Sequence, residues 1–522
     1  MITVNSEQGT GYRTRAPRKG LGMLRGAFCP EAGAPRPAIR LPSIPYSLFP
    51  IPFLLIALAC AALASPVTDP FADTVISYSP GPSWYNYPGS IWTIPSNALG
   101  APHGRYVNEP YYSDTESPVV TLGDGGTITL KFNQPVIDDP RNPYGLDFTV
   151  FSNALFMGGN PNLRWQELAF VEISQDGANW YLIKPSIYPA DLRANYGAGA
   201  DPHNYDLGKS YTAVRGYAEY TPTVGLPQEL LYPPFPGVAR TNEELYTVPD
   251  RPSIPGDNGV TSTIKFDYVS GGGDAFDIAS AIAETEPGVP MIASGQTIPA
   301  GIDRFSYVRL TDARTGDSWP DLKDVSADID AVSRTRPALS IGEIKALPAG
   351  DYGLVTEAVV TATYATEFFM ESPDRSAATR VEWDGRFLVD GERPVQVGDR
   401  ITIAGHVSNT GGRFTIDDPM LSFTAVGQPL PKPLGMPIRS LGSNLVYGLR
   451  VRTWGRIADP GDGWIFTISE NGQTVTVDSA EYVEPKPAGA LVCVTGICDR
   501  EEGTGSTIVR MIDPSNDLWA QP

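Results

Sequence analysis

Cysteine and histidine are nearly missing from this chain: its 522 residues include 4 Cys and 3 His. So few thiols exclude a scaffold built on disulfides. A four-ligand zinc site is equally out of reach, because His103, His203 and His406 have no paired cysteines to join them. The same scarcity constrains catalysis. A Ser-His-Asp device has to use one of these histidines, yet His103 and His203 each follow Pro in loop-like sequence and His406 falls at a strand end. No nucleophile-elbow, Walker or paired-Cys metal motif accompanies any of them. The expectation is a protein that is not an enzyme. A carboxylate-dependent hydrolase, which needs only two well-placed acids such as Glu167, is the alternative the histidine count leaves open.

Positive charge is also short. Lys+Arg number 39 against 59 Asp+Glu, a formal net charge of −20. Such a surface repels phosphate backbones, so nucleic acid is an unfavoured partner unless a local basic patch exists. Long apolar runs are limited to Leu48–Leu63, which is too short and too interrupted by Pro to span a bilayer. Arg15, Arg18, Lys19, Arg25, Arg36 and Arg40 precede it, and Ala62-Leu63-Ala64 supplies a small-x-small cleavage site. Residues 1–64 therefore read as a secretory signal peptide with a long basic N-terminal extension, and the expected location is secreted, cell-surface or periplasmic. Leu58-Ala59-Cys60 offers lipid attachment as a weaker alternative. Cleavage before Ser65 leaves Cys493 and Cys498. In an oxidising compartment they form a candidate disulfide, but five positions apart on a regular strand they point to opposite faces, so the bridge requires a turn after Thr495-Gly496. Two free thiols are the other reading.

Glycine and proline are plentiful, at 53 and 50. That balance favours many short strands joined by turns, and the length allows roughly three domains. All-β is the expected class. From residue 65 to 336 the chain reads as one large β domain. Thr127–Phe132 alternates cleanly, Asp147–Phe151 and Leu168–Ile173 are apolar on both faces like central strands, and a Tyr/Pro-rich insertion at about 185–255 follows neither periodicity. The C-terminal part says nearly the same thing twice. Gly353 and Gly448 open similar phrases 95 positions apart, and Asp418-Pro419 and Asp513-Pro514 close them at the same interval. A tandem duplication of a small all-β unit follows, at 337–428 and 434–522, with Gln428–Pro433 as a stiff linker. Five short strands per copy suggest two OB-like barrels.

The first domain resembles a family of secreted bacterial cell-surface proteins. The likeness rests on Leu122–Phe132, Leu146–Asn153, Glu167–Gly177, Gly272–Ile278, Tyr307–Asp312 and Asp328–Ala331, in that order. It implies a jelly-roll β-sandwich similar to galactose-binding and discoidin-like domains. The chain departs from that family at Ser152, where many relatives carry Glu. Residues 339–522 are similar to OB-fold modules of exported bacterial proteins, through the Gly-Asp-x-Ile-x-Ile-x-Gly phrase at Gly398–Gly405. Asp147, Asn153, Glu167, Asp274, Asp277, Asp312, Asp328 and Asp330 lie in or beside the family-like phrases. Converging at strand ends, carboxylates and an amide make a candidate Ca²⁺ site of six to eight oxygens. Trp84, Tyr85, Trp92, Tyr111 and Tyr112 lie in a Pro/Gly-rich segment, and flat rings exposed on loops stack on sugars, which makes a glycan or cell-surface polymer the expected ligand. Arg450, Arg452 and Arg456 alternate around Trp454 on one predicted strand, the pattern that carries the nucleic-acid alternative.

Overall fold

In a computed structural model the described residues are 69–521, apart from 84, 104–118, 157–162, 166, 186–204, 207–215, 224–239, 250–268, 287–288, 291–297, 314–325 and 383–393. The leader proposed for residues 1–64 lies outside them. Among the described residues no helix is long and apolar enough to cross a membrane.

The N-terminal part is a β-sandwich. One sheet runs in the order Thr74–Ser79, Thr127–Ile137, Arg304–Asp312, Ala169–Ser174, Tyr181–Ile183, Ala281–Glu286, with Tyr217–Ala218 added against Ala169–Ser174. The facing sheet runs Asp274–Phe276, Phe148–Ser152, Asp328–Arg334, Val120–Thr121. Successive strands switch sheets at most connections, the jelly-roll habit. Alternation sets the core: Ile128, Leu130 and Phe132 from one strand meet Val171, Ile173, Val308 and Leu310 beside them and Phe148, Val150, Ile329 and Val332 opposite. Phe148 stacks on Phe276 at 5.1 Å between centroids and meets Phe305 edge-on at 4.8 Å, a geometry that adds to simple burial.

Phe148–Ser152 is buried on both faces because a second layer covers its outer side. That layer comes from the expected insertion. Helix Asn242–Tyr246, opened by a capping box between Thr241 and Glu244, packs Leu245 and Tyr246 onto Phe71, Phe151 and Ala331. Within that stretch 216–223 and 240–249 are built into the sandwich. The most apolar piece of that stretch, Glu229–Phe235, lies outside the described residues.

Both C-terminal units are five-stranded barrels with one pairing scheme. The strands of the first are Tyr352–Thr363, Glu367–Glu371, Ala378–Glu382, Arg400–Thr410 and Arg413–Ala425. Neighbours run first, second, third, fifth, fourth and back to first, with the third and fifth parallel. The second uses Arg450–Asp459, Ile465–Glu470, Gln473–Ser479, Leu491–Arg500 and Thr507–Met511 in the same order, again with a parallel third and fifth. This is the OB arrangement. A last strand, Leu518–Ala520, extends the second barrel along its fourth strand.

The repeated glycines explain one departure from the sequence reading. Gly405 and Gly496 do not end their strands; each sits in the middle of a long fourth strand where the fifth crosses close. A Cβ at Gly496 would stand 2.5 Å from the Arg510 carbonyl oxygen, and one at Gly405 would stand 2.7 Å from that of Asp417. Glycine allows this approach, so the strand continues to Arg500 and the barrel closes. Gly496→Ala is expected to destabilise the protein by about 1–3 kcal/mol, as overpacking does, measured by urea unfolding.

The continuing strand also corrects the proposed disulfide. Cys493 and Cys498 are free thiols on one extended segment, which separates them by roughly 16 Å at about 3.3 Å per residue. Cys498 points into the barrel, its thiol near the Leu441 carbonyl oxygen at 3.4 Å, while Cys493 faces outward.

Candidate functional site

The structure divides the predicted acids into separate groups. Asp147 and Asn153 lie at opposite ends of strand Phe148–Ser152, about 20 Å apart along extended chain, so the eight residues cannot share one ion. This corrects the single-site expectation. Asp147 is buried, accepting from the Asn142 amide and the Ile278 N–H at 2.8 Å each, and burial pushes its carboxyl up to about 6. Asp277 belongs with it, capping the turn at Ile278–Ser280. Asp274 accepts from the Tyr220 N–H at 2.7 Å. Asp330 accepts from the His103 N–H at 3.0 Å and lies 2.9 Å from its ring Nδ1. A β-bulge between Ile329 and Ala331 re-aims the strand at Asp330 and parts it from Asp328.

The rest gather where the two sheets meet at one end of the sandwich. Asp328 accepts from the Thr121 hydroxyl at 2.5 Å and from the Asn153 amide at 2.8 Å. Asp312 accepts from the Gly125 N–H at 2.9 Å and the Ala327 N–H at 3.2 Å. Glu167 is buried just ahead of Ala169, the residue paired with both Asp312 and Ala218. The sequence reading missed the central member, Glu219. It follows the short strand Tyr217–Ala218, has no exposed surface, and accepts the Asp328 N–H at 2.5 Å. Its backbone is left-handed, with φ 61°, an unusual conformation for a residue with a side chain. Burial raises its carboxyl well above the ordinary range, and the charges of Glu167, Asp328 and Asp312 add to the rise. Burial likewise lifts Asp328 to about 6. Among the described residues no three His, Cys, Asp or Glu side chains form a ready metal shell.

Of the predicted aromatic residues, Trp84, Tyr111 and Tyr112 lie outside the described residues. Tyr85 and Trp92 pair with centroids 5.4 Å apart, beside exposed Tyr87.

A second aromatic surface lies on the outer face of the second barrel. Strand Arg450–Asp459 alternates strictly, Val451, Thr453, Gly455 and Ile457 facing in and Arg452, Trp454 and Arg456 facing out. Trp454 pairs with Cys493, and Cys493 pairs with Trp519 on the last strand. The three side chains thus form a row across neighbouring strands, with the indoles 40% and 56% exposed. At about 4.8 Å per strand, the indoles stand roughly 10 Å apart with the small Cys493 side chain between them. Arg452 is steadied by the Thr495 hydroxyl at 3.1 Å and Arg456 by the Gly489 carbonyl at 2.8 Å, each retaining further donors. Arg450 is instead paired with Asp517 at 3.4 Å. Nearby acids have other duties. Asp462 accepts the Trp464 and Ile465 N–H groups, and Asp499, only 1% exposed, is buried against the first barrel. Trp519 escaped the sequence reading because it lies beyond the five-strand repeat.

No protein-family model matches the chain, and no curated protein does. Solved structures give distant matches. Telomere capping protein Ten1 from Saccharomyces pombe is 17% identical, over 17% of this chain and 81% of its own, with a TM-score of 0.14. The Ifi202 HINa domain in complex with 20bp dsDNA is 16% identical, over 34% and 97%, at 0.19. A murine DNA binding protein bound with ds DNA is 11% identical, over 33% and 98%, at 0.20. Scores this low carry no argument about ligands, so the functional reading rests on the surfaces themselves.

Proposed function

We propose that this chain is a non-catalytic binding protein and that the outer face of its second barrel takes single-stranded nucleic acid. The observation that carries the reading is the row Trp454, Cys493, Trp519 with Arg452 and Arg456 beside it. Exposed indoles offer π-faces to successive bases whatever their identity, and two arginines on the same face meet the phosphates between them. Asp499 is buried against Arg413 and Arg510, which reduces the repulsion that the net charge of −20 would otherwise impose locally.

The test is fluorescence anisotropy of the full chain with a labelled oligo-dT probe over a range of salt. Two phosphate contacts predict a slope of log affinity against log salt of about −1.4. Trp454→Ala and Trp519→Ala are each expected to weaken binding by about 5- to 150-fold, the equivalent of about 1–3 kcal/mol per stacked base. As exposed positions, they should leave unfolding unchanged within about 0.5 kcal/mol. No binding at low salt, or binding by both variants as tight as wild type, would overturn the reading. Salt-independent binding of a neutral oligosaccharide, lost with Trp92→Ala, would instead favour a glycan-binding sandwich, the reading that the Tyr85–Trp92 pair supports.

A further inference from the structure

The oxygens at the end of the sandwich do not balance their hydrogen bonds. Asp328 has both carboxylate oxygens occupied, by Thr121 and by Asn153. Asp312 has both occupied by backbone N–H groups. Two acceptors beside them have no donor: Glu219 Oε1 and Asn153 Oδ1, both buried. Each belongs to a side chain fixed by Asp328, Glu219 through its other oxygen and Asn153 through its amide nitrogen. Both orphan acceptors are thus tethered to the same residue, with Glu167 and Asp312 adding negative charge around Glu219. Among the described residues no Lys or Arg bonds to Glu219 or Asp328. A buried acceptor without a donor is costly, and a buried carboxylate without a counter-charge is more so.

We propose that this end of the sandwich binds a hard divalent cation, Ca²⁺, seated on Glu219 Oε1 and Asn153 Oδ1, with Glu167 as the adjacent carboxylate and water completing the shell. Ca²⁺ suits the donor set. It accepts carboxylate, amide and water oxygens together in flexible geometry, whereas Mg²⁺ requires a near-octahedral shell and holds its own water. The seat is one carboxylate and one amide in a negative field rather than a ring of three acids. Its place is structural. Glu219 comes from the segment beside one sheet, and Asn153 and Asp328 come from the other, so an ion here ties the sheets together at their open end.

The full chain, stripped with chelator and exchanged into buffer, is titrated with CaCl₂ by calorimetry and then unfolded thermally with and without the ion. Saturable binding is expected, with a rise in midpoint of about 3 °C at a hundredfold excess over Kd. MgCl₂ is expected to give a smaller rise. Glu219→Gln keeps the shape and removes the charge, so this variant is expected to fold, to be as stable as the stripped protein or more so, and to lose the calcium shift. Asn153→Leu removes the other orphan oxygen and is expected to weaken calcium binding at least tenfold. No saturable binding by the stripped protein would overturn the proposal, as would an undiminished calcium shift in Glu219→Gln. Circular dichroism of each variant separates a lost site from a lost fold. Oligo-dT binding at the barrel is expected to be unaffected by Glu219→Gln, so the two readings fail independently.

Discussion

Arg510→Ala is expected to destabilise the protein by about 3–5 kcal/mol, because it strips the central one of three arginines from a buried ionic cluster between the barrels. Arg510, on the fifth strand of the second barrel, donates to Glu367 of the first and to Asp499 of its own barrel at 3.2 Å, while its guanidinium lies 3.7 Å from the centre of the Tyr364 ring. Arg380 also donates to Glu367, and Arg413 lies within 3.8 Å of both acids. Burial works against the charge on Arg510, but Tyr364, Glu367 and Asp499 outweigh it and hold its pKa above the ordinary value. Without Arg510 the acids keep Arg380 and Arg413 but lose the arginine hydrogen-bonded to both of them. Arg510→Met, which retains most of the packing, should lose nearly as much as alanine. Adding Glu367→Gln and Asp499→Asn to it should not recover the loss, since Arg380 and Arg413 would then be left largely buried without these acids. Urea unfolding of these variants measures each step. Equal stability of Arg510→Ala and wild type would mean that the cluster does not hold the barrels together.

The second large effect depends on pH and centres on Glu371. This side chain is fully buried at the end of the second strand of the first barrel, accepting the Arg450 N–H across the interface at 3.0 Å with its other oxygen unbonded. Burial pushes its carboxyl from 4.5 up to about 7, against the opposing pull of the Arg450 N–H and of the Arg375 and Arg450 charges. The folded protein therefore holds this proton more tightly than the unfolded chain. The resulting stability is complete below about pH 4.5 and is lost as pH rises through 7, a change of roughly 3 kcal/mol. Glu371→Gln keeps the shape and removes the titration. At pH 8 it is expected to be more stable than wild type by up to about that amount, with the two converging near pH 4.5. Asp147 and Asp328 slope in the same direction, so the variant's curve should flatten without becoming level. Lys345, which burial lowers to about 8, acts above that range, gaining stability as pH rises. Parallel wild-type and variant curves from pH 4.5 to 8 would refute the assignment.

Much of the fold was legible because its elements repeat a period. Alternation at Thr127–Phe132, the apolar stretch Asp147–Phe151 and the Gly-Asp-x-Ile-x-Ile-x-Gly phrase at Gly398–Gly405 fall on or lead into the strands they announced. Of the eight residues read as one set, Asp312, Asp328, Asn153 and Glu167 lie at the same end of the sandwich. The rest entered because they lie in or beside the family-like phrases, and a chain read linearly does not show that Asp147 and Asn153 face opposite ends or that a bulge turns Asp330 away. Glu219 was illegible for a different reason. Its strand is two residues long, inside a Tyr/Pro-rich stretch, and such a short element has no period to detect. Trp519 likewise joins its surface only through pairing with Cys493, a contact set by barrel closure.

The segment between Arg240 and Val248 acts as mortar between sandwich and barrel. Arg240 donates to the Asp418 carbonyl, Glu244 lies 3.1 Å from the His406 ring nitrogen, and Val248 packs with Leu354, Ala404 and Met420. Together with the Arg510 cluster, these contacts make each module part of its neighbour's interior. A duplicated barrel in such a chain is no longer an interchangeable cassette. Recombination that lifted out either copy would leave buried charges with no partner in the new host, so the tandem is expected to be inherited, and expressed, as a single indivisible block.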